Sequence, residues 1–396
     1  MPTAMTHHPV KGCRLSAPAI VCSLGHRNEQ ITAALLSGQR GLTRNSHWLA
    51  GKTLSLGEVD YPLPDLSDMP ESFRSRNNQL LEMALQQLQP AVDAFKRQQP
   101  QARIGVVLGT STSGIAETEQ VIGERVQTGQ WPAGFQYARQ EIGAPAEYAA
   151  LRLGAKGPVY TLSTACTSSA RALASARRLL RAGLCDAVIA GGVDSLCSLT
   201  VHGFAALEAL SPAPCQPFAA TRKGINLGEA AALFLVTPES GGIQLSGVGE
   251  SSDAHHISAP HPEGRGALSA MQAALKMANR AANEVGYVNL HGTATLQNDR
   301  MEARVVNQLF GADIPCSSTK ALTGHTLGAC GALEAAFCWL GLAAGERLPH
   351  TLDVPVDPDL APIHLARSGR LETPVILSNA FAFGGNNVAL LLEGEA

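Results

Sequence analysis

The sequence predicts an α/β protein assembled from two stacked βα halves, and three observations carry that reading. Short apolar stretches, such as those over residues 104–108 and 187–190, alternate with helix-period segments. That alternation is the pattern of a mostly parallel or mixed sheet covered by helices. The order then recurs. A helix from Gly328 to Gly345 spans the same 17 positions as the segment from Cys166 to Gly183, and each half closes on an apolar strand, over 230–236 and 388–392. Finally, the 396 residues are 45% hydrophobic and 16% charged and include 39 glycines, enough for a large core with close backbone approaches. The Pro238–Gly242 segment marks the boundary, giving halves of 13–240 and 241–396.

In chain order, residues 1–12 read as a disordered start. Residues 19–25 form a first strand and turn, 29–38 a short helix stopped by glycine, and 40–70 mostly loop. The segment 74–98 places Leu80, Leu81, Ala84, Leu85 and Leu88 on one helical stripe. A buried strand over 104–108 leads into the polar loop Thr110-Ser111-Thr112-Ser113-Gly114, a common position for site residues in α/β folds. Residues 159–162 read as a short buried strand. The helix behind them carries Ala170, Leu173, Ala176 and Leu180 at helical spacing and ends at Gly183. Arg171, Arg178 and Arg181 lie along one side of it, as a solvated face or a dock for an acidic partner. Further strands follow over 187–190, 230–236 and 287–290, and the run 378–387 reads as a loop.

A net charge of −3 argues against nucleic-acid binding. Nine cysteines without CxxC pairs or metal-ligand spacing indicate a reduced, cytoplasmic protein. No run of 18 consecutive apolar residues occurs and residues 1–12 lack an apolar core, so neither a membrane span nor a secretory signal is expected.

Cys166 sits in Ser163-Thr164-Ala165-Cys166-Thr167-Ser168-Ser169-Ala170, at a strand-to-helix turn. Free backbone N–H groups and the helix dipole there favour thiolate, although the cysteine alone reads equally as a buried structural thiol. His291 follows a strand in Asn289-Leu290-His291-Gly292-Thr293-Ala294-Thr295, and His325 lies in Thr323-Gly324-His325-Thr326. Each adjoins a glycine at an element end, where a side chain can enter a cleft. Glu334 sits inside an apolar helix and needs a cation or several donors, with Lys320 as the candidate; exposure is the alternative for both. The run from Ser378 to Asn387 offers backbone donors of the kind an oxyanion hole requires.

Four motifs in order carry a resemblance: Thr164-Ala165-Cys166-Thr167-Ser168; His291-Gly292-Thr293-Ala294-Thr295; Ser318-Thr319-Lys320 through Gly324-His325 to Gly328-Ala329; and Phe383-Gly384-Gly385. Together they resemble the elongating β-ketoacyl-acyl-carrier-protein synthases, condensing enzymes of the thiolase superfamily, over about residues 19–392. The resemblance implies a thiolase-like fold with five layers, αβαβα, and an acyltransferase without an organic cofactor. Cys166 would accept the acyl chain, with its own N–H and that of Phe383 as oxyanion hole. His291 and His325 would assist decarboxylation of malonyl-acyl-carrier-protein, oriented by Lys320 and Glu334. Thr293 and Thr295 would contact the pantetheine arm. A monovalent cation would lie near Asn289, Glu334, Ser378 and Asn379.

Departures from the family pattern fall around the acyl pocket. Leu296, Gln297 and Asn298 replace a proline- and glycine-containing run, and Ala382 and Asn386 alter the closing loop. Ile225 stands for a phenylalanine and Thr112 for a bulky gate residue. They imply a specialised substrate, such as a polyene or polyketide chain of the aryl polyene type. Expected partners are acidic acyl-carrier-proteins meeting a basic rim at Arg222, with Arg74, Arg76, Lys96 and Arg97 as further candidates. A homodimer or a heterodimer with a homologue is expected. The alternatives are the active subunit beside a chain-length factor, which itself lacks the nucleophile, and a non-catalytic homologue. No second cysteine in 380–387 supports a thiolase, and no GxSxG elbow supports a hydrolase.

Overall fold

The structure, a computed structural model, describes residues 12–395; the expected disordered start lies, except for Gly12, outside the described residues. The first half opens with β1 (Cys13–Leu15), β2 (Ala19–Cys22) and α1 (Asn28–Ser37), which Gly38 stops in the left-handed region at φ 69°. A small hairpin, β3 (Thr43–Asn45) and β4 (Leu54–Leu56), interrupts the expected loop. Ser75 caps α2 (Arg76–Gln98) by accepting from the Asn78 N–H, and the stripe from Leu80 to Leu88 is buried. Then come β5 (Ile104–Gly109), α3 (Ile115–Thr128), α4 (Ala144–Leu153), β6 (Val159–Leu162), α5 (Ser168–Arg181), β7 (Ala187–Asp194), α6 (Ser198–Ala206) and β8 (Ala230–Thr237).

The second half runs β9 (Gln244–Ser252), α7 (Arg265–Ala278), β10 (Tyr287–Asn289), α8 (Leu296–Phe310), β11 (Pro315–Ser317), α9 (Lys320–Thr323) and α10 (Cys330–Ala344). It closes with β12 (Glu346–Arg347), β13 (His364–Leu365), β14 (Gly369–Arg370), β15 (Val375–Phe381) and β16 (Asn386–Glu393).

Strand order shows the duplication directly. The first half is ordered β2-β8-β7-β5-β6 and the second β9-β16-β15-β10-β11. In each, three parallel strands adjoin two antiparallel ones. β1 joins the two, pairing Leu15 with Val236 and Cys13 with Leu245. α2 and α4 cover one outer face, α7 and α8 the other, and α5 packs on α10 between the sheets. The arrangement is therefore αβαβα, and one shared core spans both halves.

The middle layer explains an apolar peculiarity of the sequence. Leu327–Ala344 is long and apolar enough to cross a membrane by composition, with mean hydropathy 1.6, yet 83% of it is buried within the fold. A helix covered on all sides has no polar face to keep. Gly331 makes the closest approach: a Cβ there would lie 2.7 Å from Ala170 Cβ, so α10 and α5 touch at the turn that holds Cys166.

Two expectations are corrected. β6 is an edge strand rather than a buried one: among the described residues it pairs only with β5, Val159 is 36% exposed, and its other residues are half-buried. Short apolar runs do not distinguish a central strand from an edge. The run 378–387 is mostly strand, since β15 extends to Phe381 and β16 starts at Asn386, leaving Ala382–Gly385 as the turn. Its asparagines are held by pairing across the hairpin, which overrides their weak strand preference.

Candidate functional site

Cys166 lies between β6 and α5, where Ala165 takes φ 51°, a strained value for alanine. The turn is fixed from within: Ser168 Oγ donates to the Ala165 carbonyl at 2.6 Å and accepts from the Thr164 N–H at 2.9 Å. The sulfur, on a residue only 8% exposed, faces His325 Nε2 at 2.9 Å. The backbone N–H groups of Cys166 and Phe383 also reach it. Gly384 and Gly385 turn the chain at φ 82° and 75°, directing the Phe383 N–H inward. The Gly384 N–H donates to the Ile257 carbonyl at 2.7 Å, which anchors that turn.

The thiolate expectation is not met in the resting site. Burial pushes the Cys166 thiol up to about 11, against the Lys320 charge and the two N–H groups that lower it. Burial likewise holds His291 and His325 well below 6.5, reinforced by the Lys320 charge. The resting pair is thus neutral thiol and neutral imidazole.

His291 follows β10, its N–H and that of Gly292 both donating to the Glu302 carboxylate at 2.7 Å. Its ring stands edge-on to that of His325 with centroids 5.4 Å apart. Lys320 Nζ lies 3.3 Å from His291 Nδ1 and is ion-paired to Glu334; all three residues are almost completely buried. Burial works against the Lys320 charge, but Glu334 outweighs it and the ammonium is held above its usual value. An ammonium can only donate, so His291 Nδ1 accepts and the ring proton sits on Nε2, away from Lys320. The exposed alternative for Lys320 and Glu334 is ruled out.

These groups meet a cavity of about 570 Å³, whose wall includes Cys166, His291, His325, Thr293, Thr295, Ile225 and Phe383. Thr293 and Thr295 share a hydroxyl contact at 2.9 Å. Two expectations do not hold there. Thr112 is not in the cavity wall; its hydroxyl donates to Asp194 at 2.8 Å. Arg222 lines the cavity but is no rim cation: its side chain is fully buried, 2.6 Å from Asp357 and 3.7 Å from Asp299. Arg76 is committed to Glu229, Arg74 donates to the Met69 carbonyl, Lys96 to that of Leu153, and none of these or Arg97 lines the cavity. Along α5, Arg171 and Arg178 both pair with Glu250.

Of the four residues expected around a cation, Asn289 faces Ser378 across β10 and β15, Asn379 follows on β15, and Glu334, on α10, is held by Lys320. Asn289 Nδ2 contacts Ser378 Oγ at 3.3 Å across β10 and β15. The buried oxygens Asn289 Oδ1, Asn379 Oδ1 and Glu334 Oε2 have no hydrogen-bond partner. Burial raises Glu334 to about 6 and Glu302 to about 7.

The sequence reading missed two carboxylates. Glu302 ties the His291 turn to Asn379, at 3.2 Å. The available signal was an acidic residue in the second turn of the helix that follows the histidine loop. Asp194 accepts from Thr110 Oγ1, Thr112 Oγ1 and the N–H groups of Ser111, Thr112 and Ala329, all at 2.7–2.9 Å. It clamps the end of β7 to the start of α10. Its signal was a lone charge ending an otherwise apolar strand.

Comparison with known proteins is consistent along the chain. The β-ketoacyl synthase N-terminal domain profile matches residues 19–241 and its C-terminal counterpart residues 243–354. Nodulation protein E of Rhizobium meliloti is 35% identical over 307 residues, 74% of this chain and 75% of that one. A 3-oxoacyl-[acyl-carrier-protein] synthase 2 of Rhizobium meliloti is 37% identical over 276 residues, 64% of each. The ketosynthase ApeO of Xenorhabdus doucetiae, solved in complex with its chain length factor ApeC, is 46% identical. It superposes with a TM-score of 0.93, covering 99% of this chain and 100% of that one.

Proposed function

Because the chain belongs to the β-ketoacyl synthase family, we propose that it condenses malonyl-acyl-carrier-protein with an acyl chain held on Cys166, extending that chain by two carbons. The observation that carries this is the single cavity wall bearing Cys166, His291 and His325, with the thiol 2.9 Å from one imidazole.

The chemistry follows from the positions. Cys166 Sγ attacks the incoming acyl thioester and its proton passes to the departing carrier sulfur, which leaves as the thiol, while His325 keeps its ring proton on Nε2, facing Cys166 Sγ. The tetrahedral oxyanion falls between the N–H groups of Cys166 and Phe383. With the sulfur acylated, His325 Nε2 loses its thiol partner and turns, with His291 Nε2–H, to the malonyl thioester oxygen. Loss of CO₂ puts negative charge on that oxygen, and two neutral imidazole donors stabilise it without trapping it as the acid. The resulting carbanion attacks the Cys166 thioester. The C–S bond breaks, the β-ketoacyl chain leaves on the carrier, and the Cys166 thiolate takes up one proton from solvent.

The buried oxygen-only set at Asn289, Asn379 and Glu334 fits a monovalent cation. Three buried oxygens there lack donors, and a cation beside them would favour the ionised form of Glu334 that burial opposes. Such an ion supplies fixed positive charge beneath the loops and takes no part in bond making. Replacing potassium by tetramethylammonium is expected to lower the melting temperature by roughly 2–4 °C. Asn289→Ala should abolish that difference; equal melting of the wild type in both salts would refute the site.

Nine unpaired, buried thiols support a reducing, cytoplasmic setting in this reading. Its partners in this reading are an acyl-carrier-protein and a homologous subunit, the latter meeting the β6 edge, whose outer side has no strand partner among the described residues. The likeness to a ketosynthase solved with its chain length factor favours a heterodimer, and the altered residues Ile225, Leu296 and Gln297 in the cavity wall favour a polyene- or polyketide-type chain. The test is an extension assay on the chain alone and co-expressed with its homologue, offering saturated, polyenoyl and aryl primers on carrier protein. Preference for unsaturated primers by the co-expressed pair is expected. Efficient saturated extension by the lone chain would overturn the substrate and heterodimer assignments.

A further inference from the structure

We propose that the outer face of α8, Leu296-Arg300-Arg304, together with Lys223 forms the surface on which the acidic carrier protein docks. This inference rests on the carrier-linked reading above.

Cys166 is buried, so a substrate tethered to a carrier reaches it only through the mouth of the cavity, and the carrier must rest on the surface around that mouth. Leu296 and Lys223 form part of that lip, and α8 runs outward from it. Residues four apart on a helix fall in line, so Leu296, Arg300 and Arg304 make one stripe. All are exposed, Leu296 to 60%, and Leu207 across the lip is 59% exposed. None of the three cations lies within ion-pair distance of a carboxylate among the described residues, whereas Arg222 and Arg76 are neutralised within the fold.

The result is an apolar anchor at the mouth followed by exposed positive charge outside ion-pair distance of the described carboxylates, with Arg300 also feeling Asp357 from farther away. That pattern complements a helix presenting acidic residues around an apolar one. Of the two carboxylates lining the cavity, Glu208 is exposed and Asp253 is half-buried and accepts from the Asn387 side chain. α8 links β10 to β11, at the far end of the sheet order from β6, so a subunit along the β6 edge leaves this face open.

The experiment compares wild type and Arg300→Glu/Arg304→Glu, each in the assembly in which the enzyme is isolated. Two substrates are used: malonyl-loaded bacterial acyl-carrier-protein and the free malonyl-N-acetylcysteamine thioester. The variant should raise KM for the carrier-bound substrate at least about tenfold, with kcat within about twofold, and should flatten the salt dependence of kcat/KM. Turnover of the small thioester should stay within about twofold, and Arg300→Lys/Arg304→Lys should restore the carrier KM. An unchanged carrier KM beside an active wild type overturns the docking surface alone. An equal loss on both substrates overturns it too, since that marks damage to the site. A wild type inert on both substrates overturns the condensing reading on which it stands.

Discussion

Cys166→Ala is expected to abolish condensation while leaving malonyl-acyl-carrier-protein decarboxylation in place. Condensation requires a sulfur to hold the acyl chain, and no other cysteine lies in the cavity wall. Removing the nucleophile of a covalent mechanism costs on the order of 10⁴-fold or more. Decarboxylation requires only donors for the enolate oxygen, and His291 and His325 remain. Their orientation is set by Lys320 and by backbone contacts, the His325 N–H donating to the Asn226 carbonyl at 2.7 Å. The measurement is product analysis from labelled malonyl-carrier protein: acetyl-carrier protein should accumulate and no β-ketoacyl product should form. Elongated product from this variant would remove Cys166 from the mechanism. His291→Ala should show the converse, acylation of Cys166 without decarboxylation.

Lys320→Met is expected to have the second largest effect, on two separable quantities. Lys320 and Glu334 are 1% and 2% exposed, so removing the ammonium strands a buried carboxylate, at a cost of about 3–5 kcal/mol. It also frees His291 Nδ1 to take the ring proton, leaving a lone pair where the enolate needs a donor. The double variant Lys320→Met/Glu334→Leu separates the two. Stability should return to near wild type, because two apolar side chains replace a buried pair. Decarboxylation should remain about 10²-fold down, because nothing now fixes the Nε2–H form. Denaturation midpoints and decarboxylation rates on the same samples decide this. Recovery of both together would reduce Lys320 to a structural role.

Much of the site was legible because its chemistry lies in short contiguous runs. Cys166 before a helix, His291 after a strand and His325 between glycines each announced themselves locally, and a charge inside the apolar stretch around Glu334 demanded a partner. Arg222 could not be read in this way. Family position put it at the rim, whereas Asp299 and Asp357, the second of them 135 residues further along, draw it into the wall. Thr112 was misplaced for the same reason, since Asp194 arrives from another strand to take its hydroxyl.

The sequence by itself determined the alternation of strands and helices, the duplicated order and the candidate residues Cys166, His291 and His325, because periodicity and residue type are local properties. Tertiary structure decided the protonation states, the edge position of β6, the burial of Arg222 and the exposure of the α8 arginines. Each of these depends on which distant chain segment excludes water from a group or supplies its counter-charge. Neither solvation nor a through-space Coulomb partner is written in the residues beside it.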